Sequence, residues 1–375
     1  MNILGIHREL IGRPGSRAFL NTPALVLDAD ALERNILRMA HLAQLGGVAL
    51  RPHAKTHKSV EIARRQIAAG AVGICCAKLG EAEVLTDGGI SNILITSPIA
   101  GAPALERLIS LARRAEGLMI VADSPPAIAA LAATGEPFSI VVDIDPGMHR
   151  TGVADAEAAL TLAKLIEDAA SLTYAGVQFY CGQQQHIESY SDRRGAIAER
   201  TEYLAGIVAK LQQAGLPPQL VTGGGTGSHA IDIELTVLKE LQVGSYIFMD
   251  RQYLDCDLGD RTDRFETALA VDARVVSANH PSISTVDAGL KAFATEAGPP
   301  QILAGAAPGS SYRFMGDEHG AVLPPEGCPP PELGQVLTFG APHCDPTVNL
   351  YDAYHVVRAG TLVDIWPIEA RGRGF

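Results

Sequence analysis

The chain has 375 residues, 47% apolar and 19% charged, enough to build a sizeable core and too apolar for a disordered chain. At about 150 residues per domain it allows two or three domains. Thirty basic against 42 acidic side chains give a formal charge of −12, and with no lysine or arginine run this argues against nucleic acid or an anionic membrane as partner.

Residues 1–20 mix His7, Arg8, Glu9, Arg13 and Arg17 with glycines and lack the apolar centre of a secretory signal. The run 23–28 reads as a strand that belongs with a β domain. Ala31 to Leu42 carries Leu32, Ile36 and Met39 on one helical face, and Asp30 with Glu33 resembles a capping arrangement at its start. Ala156 to Ala170 repeats the pattern with Ala159, Leu162, Leu165 and Ile166. Between such helices lie eight short apolar runs that suit buried parallel strands: 47–53, 72–76, 93–96, 118–122, 138–143, 172–178, 219–222 and 241–247. Eight strands alternating with helices predict an α/β plus β chain, a (β/α)8 TIM-type barrel over 29–250 with a C-terminal all-β domain from 251–375 joined by 1–28. An open doubly wound sheet is the alternative. Thr267 to Val276 and His355 to Trp366 read as strands of the β domain, with prolines clustered at 324, 325 and 329–331. No apolar stretch reaches the roughly 18 residues of a membrane span. The six cysteines form no C-x-x-C pair and read as reduced thiols. The expected setting is cytoplasmic, with a small-molecule partner.

In a barrel, chemistry belongs at the C-terminal ends of the strands. The first run ends in Arg-Pro-His-Ala-Lys-Thr-His-Lys (51–58), where Lys55 among other cations suits a Schiff-base lysine of lowered pKa. The fifth leads to Gly-Met-His-Arg-Thr-Gly-Val (147–153), with Arg150 available to an anionic oxygen, and the sixth to Tyr180 and a donor-rich loop ending in His186. The seventh leads into Thr222-Gly223-Gly224-Gly225-Thr226-Gly227-Ser228, where four glycines in five residues let backbone N–H groups converge on a phosphate. Ser245 and Tyr246 end the eighth run, and barrel phosphate sites commonly use the last two loops. In the segment 342–347, an extended backbone would put His343 and Asp345 on one face, able to hold a divalent cation. Lysine at one strand end and a phosphate cradle across the barrel suggest pyridoxal 5′-phosphate.

These motifs, in this order, with Gln-Val-Gly-Ser-Tyr (242–246), Asp-Glu-His-Gly (317–320) and His-Cys-Asp-Pro-Thr-Val-Asn-Leu (343–350), resemble the D-threonine aldolase branch of the fold-type III pyridoxal phosphate enzymes, which share an alanine-racemase-type barrel. The resemblance runs from about Thr22 to Arg373. It implies that Lys55 joins the cofactor aldehyde, Arg150 meets the ring's phenolic oxygen and Tyr180 lies near the ring. It also implies that Thr222, Gly224, Gly225, Ser245 and Tyr246 hold the phosphate, and that His343 and Asp345 bind Mn2+ or Mg2+. His186 becomes the base at the substrate β-hydroxyl, and the enzyme is a homodimer. The implied activity is retro-aldol cleavage of D-β-hydroxy-α-amino acids to glycine and an aldehyde. D-serine dehydratase-like relatives carry a His-x-Cys zinc pair; Asp345 stands where that cysteine would fall.

A D-3-hydroxyaspartate aldolase would use the same machinery and need a cation for the second carboxylate, with Arg313 and Arg251 as the candidates. A dehydratase would release ammonia and a keto acid. A non-catalytic cofactor carrier and a racemase are further alternatives.

Overall fold

The computed structural model describes residues 5–262 and 264–375. The chain divides into two compact units. One comprises Leu37–Gly244, Cys256–Thr262 and Gly372–Phe375; the other comprises the chain up to Ile36, Ser245–Asp255 and residues 264–371.

The first of these is the barrel. Its strands are β2 (Ala49–Leu50), β3 (Ile74–Cys76), β4 (Ile93–Ile95), β5 (Met119–Ala122), β6 (Phe138–Ile144), β7 (Leu172–Phe179), β8 (Leu220–Gly223) and β9 (Glu240–Leu241). They pair in parallel in the order β2-β9-β8-β7-β6-β5-β4-β3. The two ends of this sheet meet. Val72 N–H donates to Leu50 O, Cys75 N–H to Pro52 O and Ala54 N–H to Cys75 O, each at 2.8 Å, and His53 bridges Cys75. The sheet is therefore a closed eight-stranded barrel, which rules out the open doubly wound alternative. Helices follow the strands, among them α2 (Val60–Ala68), α3 (Leu79–Asp87), α6 (Ala156–Glu167), α7 (Tyr190–Gln213) and α8 (His229–Leu235). Asp155 caps α6 by accepting Ala158 N–H at 2.8 Å, and Ala159, Leu162 and Ile166 are buried as their spacing requires. Leu165, expected on that face, is exposed. Inside the barrel, Cys75, Leu94, Val121 and Val141 form one apolar cluster from four adjacent strands.

The other unit is built on a nine-stranded sheet. Its central path runs β13 (Ser311–Phe314), β14 (Gly320–Leu323), β11 (Ile283–Val286), β10 (Leu269–His280), β1 (Ala24–Asp28), β16 (Ala353–Arg358) and β17 (Thr361–Pro367). β15 (Val336–Gly340) pairs with β10 and with β12 (Gln301–Ala304). Leu10, Leu20, Ala24, Val26, Val357 and Leu362 form an apolar cluster of this unit.

Three local expectations are corrected. The helix after β1, α1 (Ala29–Gly46), is capped by Asp28, which accepts Ala31 N–H at 2.9 Å. Asp30 and Glu33 make no capping box; both pair with Arg358 instead. The run 241–247 is not one strand. β9 ends at Leu241, and Ser245–Ile247 forms a 3-10 turn, with Ser245 O accepting Phe248 and Met249 N–H. The segment around 343–345 is not extended either, because Cys344 opens helix α10 (Cys344–Val348).

Candidate active site

A cavity of about 440 Å³ sits at the C-terminal mouth of the barrel. Its wall takes residues from the ends of β2 to β7 and from β9, including Lys55, Lys78, Asp123, Arg150, Tyr180 and Gln242.

The 51–58 segment contains two lysines, and the structure separates their tasks. The Lys58 ammonium pairs with the buried Glu81, whose other oxygen accepts Ala77 and Lys78 N–H at 2.8 and 3.2 Å. Lys58 is thus held to the start of α3. Lys55 is half-buried and lines the cavity. Its backbone N–H donates to His53 Nδ1 at 3.3 Å. That leaves the His53 proton on Nε2, 3.1 Å from Thr96 Oγ1.

After β6 the chain makes a turn wound on Asp145. One carboxylate oxygen accepts the N–H groups of Gly147, Met148 and His149 at 2.9, 2.8 and 3.1 Å. Burial would raise this carboxyl, but the donors from His149, Gly147 and Met148 outweigh it and hold it below the usual range. A side chain at Gly152, where φ is +99°, would lie 2.5 Å from Asp145 N, so the turn closes only with glycine there. This turn presents Arg150, whose guanidinium carbon lies 5.6 Å from the centre of the Tyr180 ring.

Beneath the cavity a polar chain crosses the barrel interior. Arg51 grips Glu240 with two bonds at 2.9 and 3.0 Å. Thr222 Oγ1 donates to Glu240 at 2.9 Å and accepts from Gln242 Nε2 at 3.1 Å. Gln242 also reaches Gln178 Oε1 at 3.2 Å, and Gln178 Nε2 donates to Asp143 at 2.9 Å. Thr151 Oγ1 donates to the other Asp143 oxygen at 2.7 Å. Burial pushes the Asp143 carboxyl up to about 6, opposed by the bonds from Gln178 and Thr151. A network of this kind holds its members in one rotamer each. It fixes Gln178, Gln242 and Thr151 on the cavity wall.

Lys55, Arg150 and Tyr180 are thereby brought together on one cavity. Thr222 lies beneath it, with its hydroxyl engaged by Glu240 and Gln242 rather than turned to the glycine loop. Gly224, at φ +68°, and Gly225 admit no side chain. An added Cβ would stand 2.4 Å from Asp232 Oδ2 and 2.5 Å from Gln185 Oε1 respectively. His186 is half-buried in the loop after β7 and is not part of the cavity wall.

The other expected residues belong to the β-sheet unit. Ser245 and Tyr246 are buried in the 3-10 turn, and the Tyr246 ring packs edge-on against Phe265 with centroids 5.7 Å apart. His343 immediately precedes α10 and places Nδ1 2.6 Å from Glu296 Oε1. Cys344 donates both N–H and S–H to the buried Asp250, at 2.9 and 3.0 Å, and burial pushes its thiol well above the ordinary range. Arg251 is engaged by Asp255 and the Pro299 carbonyl, and Arg313 lies on β13.

Sequence reasoning missed Lys78 and Asp123 on the cavity wall, and Glu296 beside His343. Lys78 and Asp123 each follow a barrel strand closely. A polar residue just past a strand end was the available signal.

The alanine racemase N-terminal domain model matches residues 27–252, and a serine dehydratase domain model matches 268–357. A D-threonine aldolase of Arthrobacter sp. is 39% identical over 99% of this chain and 98% of its own length. The chain belongs to the D-threonine aldolase branch of the fold-type III pyridoxal phosphate enzymes. A 3-hydroxy-D-aspartate aldolase of Paracoccus denitrificans is 37% identical, with 95% of this chain and 93% of that protein covered. The crystal structure of D-threonine aldolase from Filomicrobium marinum superposes with a TM-score of 0.91 at 40% identity, covering 96% and 97% of the two chains.

Members of this branch are lyases, and the barrel unit fits the pyridoxal phosphate of its family. A lysine faces the cavity, and a cation and an aromatic ring stand on the same wall. For a divalent cation the chain offers two candidate donors, His343 and Asp345, at the start of α10, without the extended backbone that was expected to set them on one face. His343 has its Nδ1 on a carboxylate, as metal-binding histidines commonly do, and Asp345 adds an oxygen donor. Among the described residues no group of three His, Cys, Asp or Glu side chains gathers to hold a metal. Among the described residues, no helix is long and apolar enough to cross a membrane.

Proposed function

We propose that the protein cleaves the Cα–Cβ bond of D-β-hydroxy-α-amino acids of the D-threonine type, giving glycine and an aldehyde. The observation that carries this reading is the single cavity shared by Lys55, Arg150 and Tyr180. When bound, pyridoxal phosphate supplies a carbonyl for the substrate amine and an electron sink for the pair left on Cα.

The chain's own residues do the rest. Lys55 Nζ is the attachment point. Arg150 and Tyr180 would hold the ring, and the rigid row Gln178, Gln242 and Thr151 keeps the cavity's shape. Gly224 would present its backbone to the phosphate, beside a Gly225 N–H that is held by Ser228 Oγ. His186 takes the β-hydroxyl proton through a bridging water. His343 and Asp345 would hold a divalent cation, which lowers the pKa of an oxygen bound to it. Exhaustive chelation should therefore abolish cleavage while the cofactor absorbance persists; full activity after chelation would remove the metal from the account.

Reduction of the cofactor-loaded protein with borohydride, followed by peptide mapping, tests the carrying observation. The label belongs on Lys55, and Lys55→Ala should lose both label and activity. A label on Lys58, or an active Lys55→Ala protein, would overturn the assignment.

A second reading, cleavage of D-3-hydroxyaspartate, is favoured by Lys78. This exposed lysine gives the cavity wall a cation beyond Lys55 and Arg150. It could receive a second carboxylate.

A further inference from the structure

Gln185 has no part in the chemistry above, yet it is completely buried. Its Oε1 accepts Gly227 N–H at 2.9 Å. Its Nε2 donates to Ser228 Oγ at 2.9 Å and to the Cys181 carbonyl at 3.2 Å. Ser228 Oγ also accepts Gly225 N–H at 3.1 Å and donates to Asp232 Oδ2 at 2.6 Å. One amide thus ties the 180–186 loop to the 223–228 loop at both ends of its polar head.

Packing tightens the same joint. A Cβ on Gly225 would lie 2.5 Å from Gln185 Oε1, and one on Gly227 would lie 2.0 Å from the Gln185 carbonyl oxygen. The glycine run is pressed onto Gln185, so its backbone course follows the course of that residue. Methyl-sized changes in such a close fit are felt directly. Only an uncharged amide satisfies all three partners: one is a donor and two are acceptors. A carboxylate of the same shape would face the Cys181 carbonyl without a proton to give.

We propose that Gln185 is a positioning residue. It holds the 223–228 loop in the conformation that receives the cofactor phosphate, and it fixes that loop to the one carrying Tyr180 and His186. This deepens the proposed function and rests on its reading of the glycine run as the phosphate site.

The test is a pair of binding titrations on the full chain, one with pyridoxal phosphate and one with pyridoxal, which lacks the phosphate. Gln185→Met keeps the volume and removes the hydrogen bonds. Its dissociation constant for pyridoxal phosphate should rise at least tenfold, with that for pyridoxal changed less than twofold. An equal rise for both would show a general packing role and overturn the proposal, as would no change in either. If wild type itself binds both compounds alike, the phosphate-site reading fails rather than the role of Gln185. Should Gln185→Met fail to fold, Ser228→Ala removes the adjoining bonds, and the same selective loss is expected; retained discrimination there overturns the proposal.

Discussion

Acidification should destabilise the β-sheet unit through one pair of histidines. His7 Nδ1 and His355 Nε2 are 2.8 Å apart. Asn21 N–H donates to His7 Nε2 at 2.9 Å, so the His7 proton sits on Nδ1 and points at His355. The His355 proton then sits on Nδ1, 3.2 Å from the Leu25 carbonyl. Every ring nitrogen is used with both rings neutral, and a further proton on either ring must break a bond. Burial lowers the His355 pKa from 6.5 to about 4, helped by His7 and opposed by the Leu25 bond and Asp272. The His7 pKa is lowered too, by burial against the pull of Glu9. The folded state thus binds fewer protons than the unfolded chain between these values. Stability from this pair is complete above pH 6.5 and is lost as pH falls towards 4. A shift of 2.5 units is worth about 3 kcal/mol in full, and about 2 kcal/mol of it is gone at pH 5. Asp143 and Asp232, raised by burial to about 6 and about 7, act in the opposite sense, losing stability as pH rises. The clean assay is therefore a difference: urea unfolding of wild type and His355→Gln at pH 7.5, 6 and 5. The wild type should lose about 2 kcal/mol more than the variant over this range. Parallel curves for the two proteins would refute the reasoning.

Arg51→Met leaves the Glu240 carboxylate buried without its partner. It should cost about 3–5 kcal/mol in urea unfolding, and a loss under 1 kcal/mol would contradict the buried pair's role. Lys78→Met should raise KM for D-3-hydroxyaspartate about five- to tenfold and leave that for D-threonine within twofold; equal effects on both substrates would remove Lys78 as a second-carboxylate receptor. His186→Gln should bind cofactor normally and turn over about 10² to 10⁴ times more slowly, and near-wild-type turnover would exclude it as the base.

The barrel was legible because its strands are continuous apolar runs: 118–122 and 138–143 coincide closely with β5 and β6. Closure was not, since it depends on hydrogen bonds such as that from Cys75 N–H to the Pro52 carbonyl, which join the first and second strand runs and leave no mark in apolar periodicity. The 241–247 run misled because Val243, before the 3-10 turn, and Ile247, within it, are buried as they would be in a strand; burial, not strand geometry, sets their type. At 343–345 the Asp345-Pro346 pair suits the first turn of a helix, where proline's missing N–H costs nothing, and this local chemistry prevailed over an extended reading. Lys55, Arg150 and Tyr180 were readable as polar residues at strand ends. The chain from Arg51 through Thr222 and Gln178 to Asp143 was not, because it exists only once strand register brings five separate segments into line.

Product analysis tests the central claim most directly. The cofactor- and metal-loaded protein is given D-threonine, D-3-hydroxyaspartate and D-serine separately. Glycine with an aldehyde from the first substrate is the predicted result. Ammonia with a keto acid, and no glycine, would contradict the aldol cleavage and make the protein a dehydratase.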